Sequence, residues 1–118
     1  MIKTGVDLRG LTPQMALAYS EACWVYYKTG GYECVITSGG DGEHKPKSGT
    51  VSLHKRNGQV NALDLRTKHL ADQDKGLVTQ RLKIALGSQF YVELEHLDQL
   101  QEHLHVEFDP KDPVTVEA

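Results

Sequence analysis

The residues of this chain best suited to chemistry are its six histidines, and their spacing is uneven. His96, His103 and His105 fall within ten residues of one another, while His44 and His54 flank a polar, glycine-rich stretch. Histidine is the commonest metal ligand, and a catalytic zinc usually takes three protein ligands and leaves a position for water. The stretch His103 to Phe108 alternates, with His103, His105 and Glu107 on one side and Leu104, Val106 and Phe108 on the other. The apolar side belongs to a core, so the imidazoles must line a surface or a cleft. Asp64 stands between Leu63 and Leu65, and an ionised carboxylate at a core edge needs a compensating partner. A divalent cation is one such partner, and Arg66 and Arg81 are others. His-x-His on a strand also occurs as solvated surface, so periodicity alone leaves a metal site and a plain polar face both open.

The elements that must position these residues can be read in order. Thr12 is a good N-cap and Pro13 suits the first helical position. Met15, Leu17, Ala18, Ala22, Val25 and Tyr26 then form an apolar face that ends near Lys28-Thr29, with Gly30-Gly31 as the stop. Tyr32 to Thr37 reads as a strand, and the glycines of residues 38–42 as a loop. Val51 to His54 reads as a short ordered segment. After a turn at Asn57-Gly58, Val60 to Thr67 reads as a strand with Ala62, Asp64 and Arg66 on one face. A helix from about Asp74 to Leu86 follows, its buried side formed by Leu77, Val78, Leu82, Ala85 and Leu86, and Gly87 ends it. Phe90 to Leu94 and His103 to Phe108 are strands, and residues 95–102 fit either a helical turn or a hairpin arm. The order predicts an α+β fold, a small antiparallel or mixed sheet with helices packed on one side.

A length of 118 residues fits a single domain spanning residues 1–118. The formal charge of -3 argues against a nucleic-acid partner bound through many phosphate contacts. No apolar run approaches the roughly 20 residues that cross a bilayer, so no membrane partner is expected. Residues 1–7 carry no apolar stretch of the secretory type, which predicts synthesis in the cytoplasm without a signal peptide. Cys23 and Cys34 read as thiols inside a helix and a strand, with a disulfide as the alternative.

Four segments, taken in order, resemble a known family. Ile36-Thr37-Ser38-Gly39-Gly40-Asp41-Gly42-Glu43-His44, Ser52-Leu53-His54 and Ala62-Leu63-Asp64-Leu65-Arg66 look like the core of the zinc D-Ala-D-Ala carboxypeptidases. Glu102-His103-Leu104-His105-Val106-Glu107-Phe108-Asp109-Pro110 looks like that family's last motif. The fold is shared with the hedgehog signalling domain, VanX-type dipeptidases and some phage endolysins, and the likeness is greatest to small phage-encoded members. It covers roughly residues 12–112.

The resemblance implies a Zn²⁺ held by His54, Asp64 and His105. It makes Glu102 the general base for a zinc-activated water and His103 a residue that stabilises the transition state. The expected activity is hydrolysis of peptide bonds in peptidoglycan stem peptides, as a D-Ala-D-Ala carboxypeptidase or endopeptidase. A monomer is plausible, and a phage member would reach the wall through a partner that opens the membrane. The hedgehog relatives supply the alternative, a zinc-binding interaction module without turnover. Two departures bear on the site. Ten positions separate His54 from Asp64, three more than is usual in the family, which a longer turn around Asn57-Gly58 accommodates. Residues 45–51 also form a longer loop. Glu93-Leu94-Glu95-His96 offers His96 as a rival ligand, and Arg66, Lys45 and Lys47 are candidates for clamping a substrate carboxylate.

Overall fold

The computed structural model describes residues 1–40 and 58–109. Its elements are α1 (Pro13–Gly30), β1 (Ile36–Ser38), β2 (Ala62–Arg66), α2 (Asp72–Leu86), β3 (Phe90–Glu95) and β4 (His103–Phe108). The four strands form one sheet in the order β1-β2-β4-β3, and every neighbouring pair is antiparallel. The fold is α+β, as the order of elements predicts. None of the described helices is long and apolar enough to cross a membrane.

Helix α1 begins as its sequence dictates. The Thr12 hydroxyl accepts a hydrogen bond from the Met15 amide, and Pro13 occupies the first turn. It ends at Gly31, whose φ of 71° lets its amide reach back to Tyr26 and Tyr27. Met15, Ala18, Ala22, Val25 and Tyr26 are buried. Leu17, expected in that stripe, is 61% exposed, because the 3–4 spacing through 15, 18, 22 and 25 turns position 17 away from the core.

Two further expectations need correction. The strand read over Tyr32–Thr37 is ordered as β only at Ile36–Ser38. Upstream of it Val35 O still accepts from Arg66 N of β2, and the Ile36 backbone bonds Met1 O and Lys3 N. In α2 the buried stripe is Lys75, Val78 and Leu82, while Leu77 and Ala85 face outward. The helix begins at Asp72 and is rotated so that a lysine enters the interior. Cys23 and Cys34 are free thiols rather than a disulfide.

The core lies on one face of the sheet. Leu63 and Leu65 of β2, Val92 of β3, and Leu104 and Val106 of β4 meet Met15, Ala22 and Tyr26 of α1 and Val78 and Leu82 of α2. Lys75 is tolerated there because its ammonium donates to Glu102 Oε1 at 2.9 Å. Glu102 is buried, and it also accepts from the Thr67 hydroxyl at 2.5 Å and the Asp98 amide at 3.1 Å. Of residues 95–102, which sequence left ambiguous, Glu95 ends β3 and the rest form the turn to β4, with His96 and Asp98 in the left-handed region. Glu102 thus ties this turn to α2.

Burial alone disfavours the Glu102 carboxylate, but its hydrogen bonds to Thr67, Lys75 and Asp98 outweigh that and bring its pKa down to about 2. The folded value lies below the roughly 4.3 of an unfolded glutamate, so the pair contributes stability above about pH 4.3. That contribution is lost as pH falls from there towards 2. Either single variant, Lys75→Met or Glu102→Leu, should cost about 3–5 kcal/mol by stranding a buried charge, and the double variant far less. Urea unfolding at neutral pH checks this, and the double variant should also show a flatter stability curve between pH 5 and about pH 2.

Candidate metal centre

The other face of the sheet carries the chemistry. The register pairs Asp64 with His105 and Arg66 with His103 across β2 and β4. Across β4 and β3 it pairs His105 with Glu93 and His103 with Glu95. Directly paired residues in an antiparallel sheet share a face, so acids and imidazoles from three strands meet on the side opposite the helices.

The distances within this group are short. His105 Nδ1 lies 3.0 Å from Asp64 Oδ1, and His105 Nε2 lies 2.7 Å from Glu107 Oε1. His103 Nε2 lies 2.9 Å from Glu95 Oε1 and 3.5 Å from Asp64 Oδ1. Its Nδ1 lies 2.6 Å from the Gln101 carbonyl. A carbonyl only accepts, so Nδ1–H of His103 donates there and Nε2 carries the lone pair of the neutral ring. Both nitrogens of His105 face carboxylates, Nε2 that of Glu107 and Nδ1 that of Asp64, so a neutral ring can donate to only one of them.

Three electron-pair donors therefore converge: Asp64 Oδ1, His103 Nε2 and His105 Nδ1. One donor atom from each of these residues lies within 4.8 Å of the others. A divalent cation fits this set chemically, since a carboxylate oxygen and two imidazole nitrogens are ordinary ligands for one. The remaining ring nitrogens are held by Glu107 and the Gln101 carbonyl, as outer partners hold ligating imidazoles at metal sites. Burial works against a charged His105, but hydrogen bonds to Asp64 and Glu107 and the charge of both outweigh it and raise its pKa to about 10.

Of the expected site residues, the structure brings together Asp64, His105 and His103, the last as a candidate donor rather than only a neighbour of the metal. His54, the expected first ligand, lies outside the described residues, as do His44, Lys45 and Lys47. Glu102, expected as general base, is on the helix side of the sheet, engaged by Lys75, Thr67 and Asp98. It immediately precedes β4, where alternation sends it to the side of Leu104 and Val106, opposite to His103 and His105. His96, the rival ligand, is exposed and stands outside the three-residue cluster, its ring 5.8 Å from that of His103.

Glu95 is the functional candidate that sequence reasoning missed. Its carboxylate is 35% exposed, contacts His103 and lies 4.0 Å from His105 Nδ1. The signal existed in the alternation of Glu93 and Glu95, but it became readable only with the hairpin register that sets them beside the histidines. No protein-family model matches the sequence, and no curated protein matches it.

One divalent metal ion per chain is expected by metal analysis, falling below about a tenth in Asp64→Ala and in His105→Ala. Glu107→Gln should keep the site but weaken it by about 10–100-fold. Because the ligating nitrogen of His105 must shed its proton, binding at pH 7 should release protons, and affinity should fall by about tenfold per pH unit on acidification. Calorimetry in buffers of different ionisation enthalpy measures both effects.

Proposed function

We propose that this protein is a zinc-dependent peptidase that hydrolyses peptide bonds in peptidoglycan stem peptides, as a D-Ala-D-Ala carboxypeptidase or endopeptidase on a hedgehog/DD-peptidase-like scaffold. The observation that carries the reading is the convergence of Asp64, His103 and His105 on the open face of the sheet. The order of the Ser-x-His, Ala-x-Asp and His-x-His segments supports the substrate class by resemblance.

Asp64 and His105 would hold the metal, with His103 or His54 as the third ligand. Zn²⁺ in such a site supplies Lewis-acid polarisation of a carbonyl and acidifies water. Glu107 keeps the His105 ring oriented through Nε2. Glu95 is better suited than Glu102 to serve as the base. Glu102 is held ionised against Lys75, whereas Glu95 Oε1 lies on the cluster side and is partly open to solvent. Glu95 would take the proton from the attacking water and return it to the leaving amine. His103, where it is not itself a ligand, faces the charge that develops on the carbonyl oxygen. The biological role that fits is a phage lysis factor or a cell-wall remodelling enzyme.

A second reading is a zinc-binding interaction module without turnover. The proximity of Glu95 to both imidazoles favours it, because a fourth protein donor would close the site. Digestion of purified peptidoglycan, with mass analysis of the products, separates the two. Stem-peptide cleavage should be seen with the wild type and fall by about 10²–10⁴-fold in Glu95→Gln with zinc still bound. Glu102→Gln should lower stability while leaving kcat within about tenfold. No cleavage by the zinc-loaded wild type would favour the interaction module, and loss of zinc in Glu95→Gln would make Glu95 a ligand.

A further inference from the structure

The chain has two cysteines, Cys23 and Cys34, and neither belongs to the metal cluster. Cys23 stands on α1, one helical turn after Tyr19, and Cys34 lies just before β1. This side of the helix runs along that segment, since the Tyr19 hydroxyl lies 3.3 Å from the Cys34 carbonyl. The same hydroxyl meets the Cys23 thiol, and the Cys23 thiol meets that of Cys34. Two sulfurs from different elements are thus in contact without being bonded.

The two thiols differ in access. Cys34 is 3% exposed within the core, whereas Cys23 packs at the core's edge and is partly open to solvent. Burial, and after it the adjacent Cys23 thiol, push the Cys34 thiol up. A buried thiol of this kind is inert towards solutes, so a small disulfide can approach only Cys23. Its neighbour then decides the outcome. A mixed disulfide formed on Cys23 places its sulfur against that of Cys34, which is the arrangement for a second exchange.

We propose that Cys23 and Cys34 are a redox pair, in which Cys23 reacts with a small-molecule disulfide and Cys34 then closes an internal disulfide that ties α1 to the approach to β1. In the first step the Cys23 thiolate attacks one sulfur of the small disulfide and expels one thiol. In the second the Cys34 sulfur attacks that of Cys23, forms the Cys23–Cys34 bond and expels the other thiol. Two protein thiols are oxidised, one small disulfide is reduced to two thiols, and the two protein protons end on the thiols released. Reducing compartments keep such a pair open and oxidising ones close it. Closure joins positions 23 and 34, restricts the unfolded chain, and fixes α1 to the strand whose Ser38 pairs with Asp64 of the metal face. None of this depends on whether that face hydrolyses peptides.

The test is incubation of the full chain with excess oxidised glutathione, followed by intact mass, peptide mapping and thermal unfolding. The wild type should lose two hydrogens in mass, retain no glutathione, map to a Cys23–Cys34 crosslink and gain about 5–15 °C in Tm. Dithiothreitol should restore the starting mass and Tm. Cys34→Ala should stop after the first step and keep one glutathione on Cys23. Cys23→Ser, changed at the more open position, should stay folded with Cys34 unmodified and a Tm that oxidised glutathione does not move. Two unmodified thiols in the wild type, glutathione retained on Cys23 beside an intact Cys34, or disulfides formed only between chains would overturn the proposal. So would uptake of glutathione by Cys34 in folded Cys23→Ser.

Discussion

The pairing of β2 with β4 at the centre of the sheet is the constraint on which the rest depends. Its register sets Asp64 against His105 and Arg66 against His103 on one face, and Leu63 with Leu65 against Leu104 with Val106 on the other. Strand alternation has a period of two, so a slip of one residue would drive the acid and the imidazoles into the core and turn the leucines out to water. Burial of the apolar face against α1 and α2 therefore holds the polar face in place. Core packing and site geometry are two consequences of one register.

The sheet also separates two kinds of charge. On the helix side, Glu102 and Lys75 neutralise each other out of water, with Thr67 and the Asp98 amide completing the carboxylate's hydrogen bonds. Such a pair adds little net stability over an apolar substitute, but it joins the β3–β4 turn to α2. The open side carries a different arrangement. Asp64, Glu95 and Glu107 crowd two imidazoles, and Arg66, Lys3 and Lys68 border a cleft nearby together with Glu102. The convergence of Asp64, His103 and His105 is the physical basis for reading this face as a metal site.

Much of this was legible in the residues. The caps of α1, the alternation in Ala62–Arg66 and in His103–Phe108, and the stop at Gly87 all declared themselves, because each depends on neighbours within a few positions. The misreadings share a different cause. Leu17 and Leu77 were assigned to the core on hydrophobicity, yet which stripe of a helix faces inward depends on what it packs against. Lys75 took an interior position because Glu102, 27 residues away, supplied its partner. Glu102 was expected as the base by resemblance, and the structure places it just before β4, on the opposite side of the sheet from the histidines.

The sequence by itself determined the α+β order of elements, the polar and apolar sides of β2 and β4, and Asp64, His103 and His105 as residues suited to metal chemistry. These follow from local periodicity and from side-chain chemistry, which a chain carries wherever it folds. Only the tertiary structure decided that Glu95 rather than Glu102 stands beside the imidazoles, and that Lys3, Arg66 and Lys68 border one cleft. Those neighbours are set by strand register and by helix rotation, which link residues tens of positions apart and leave no periodic trace in the sequence.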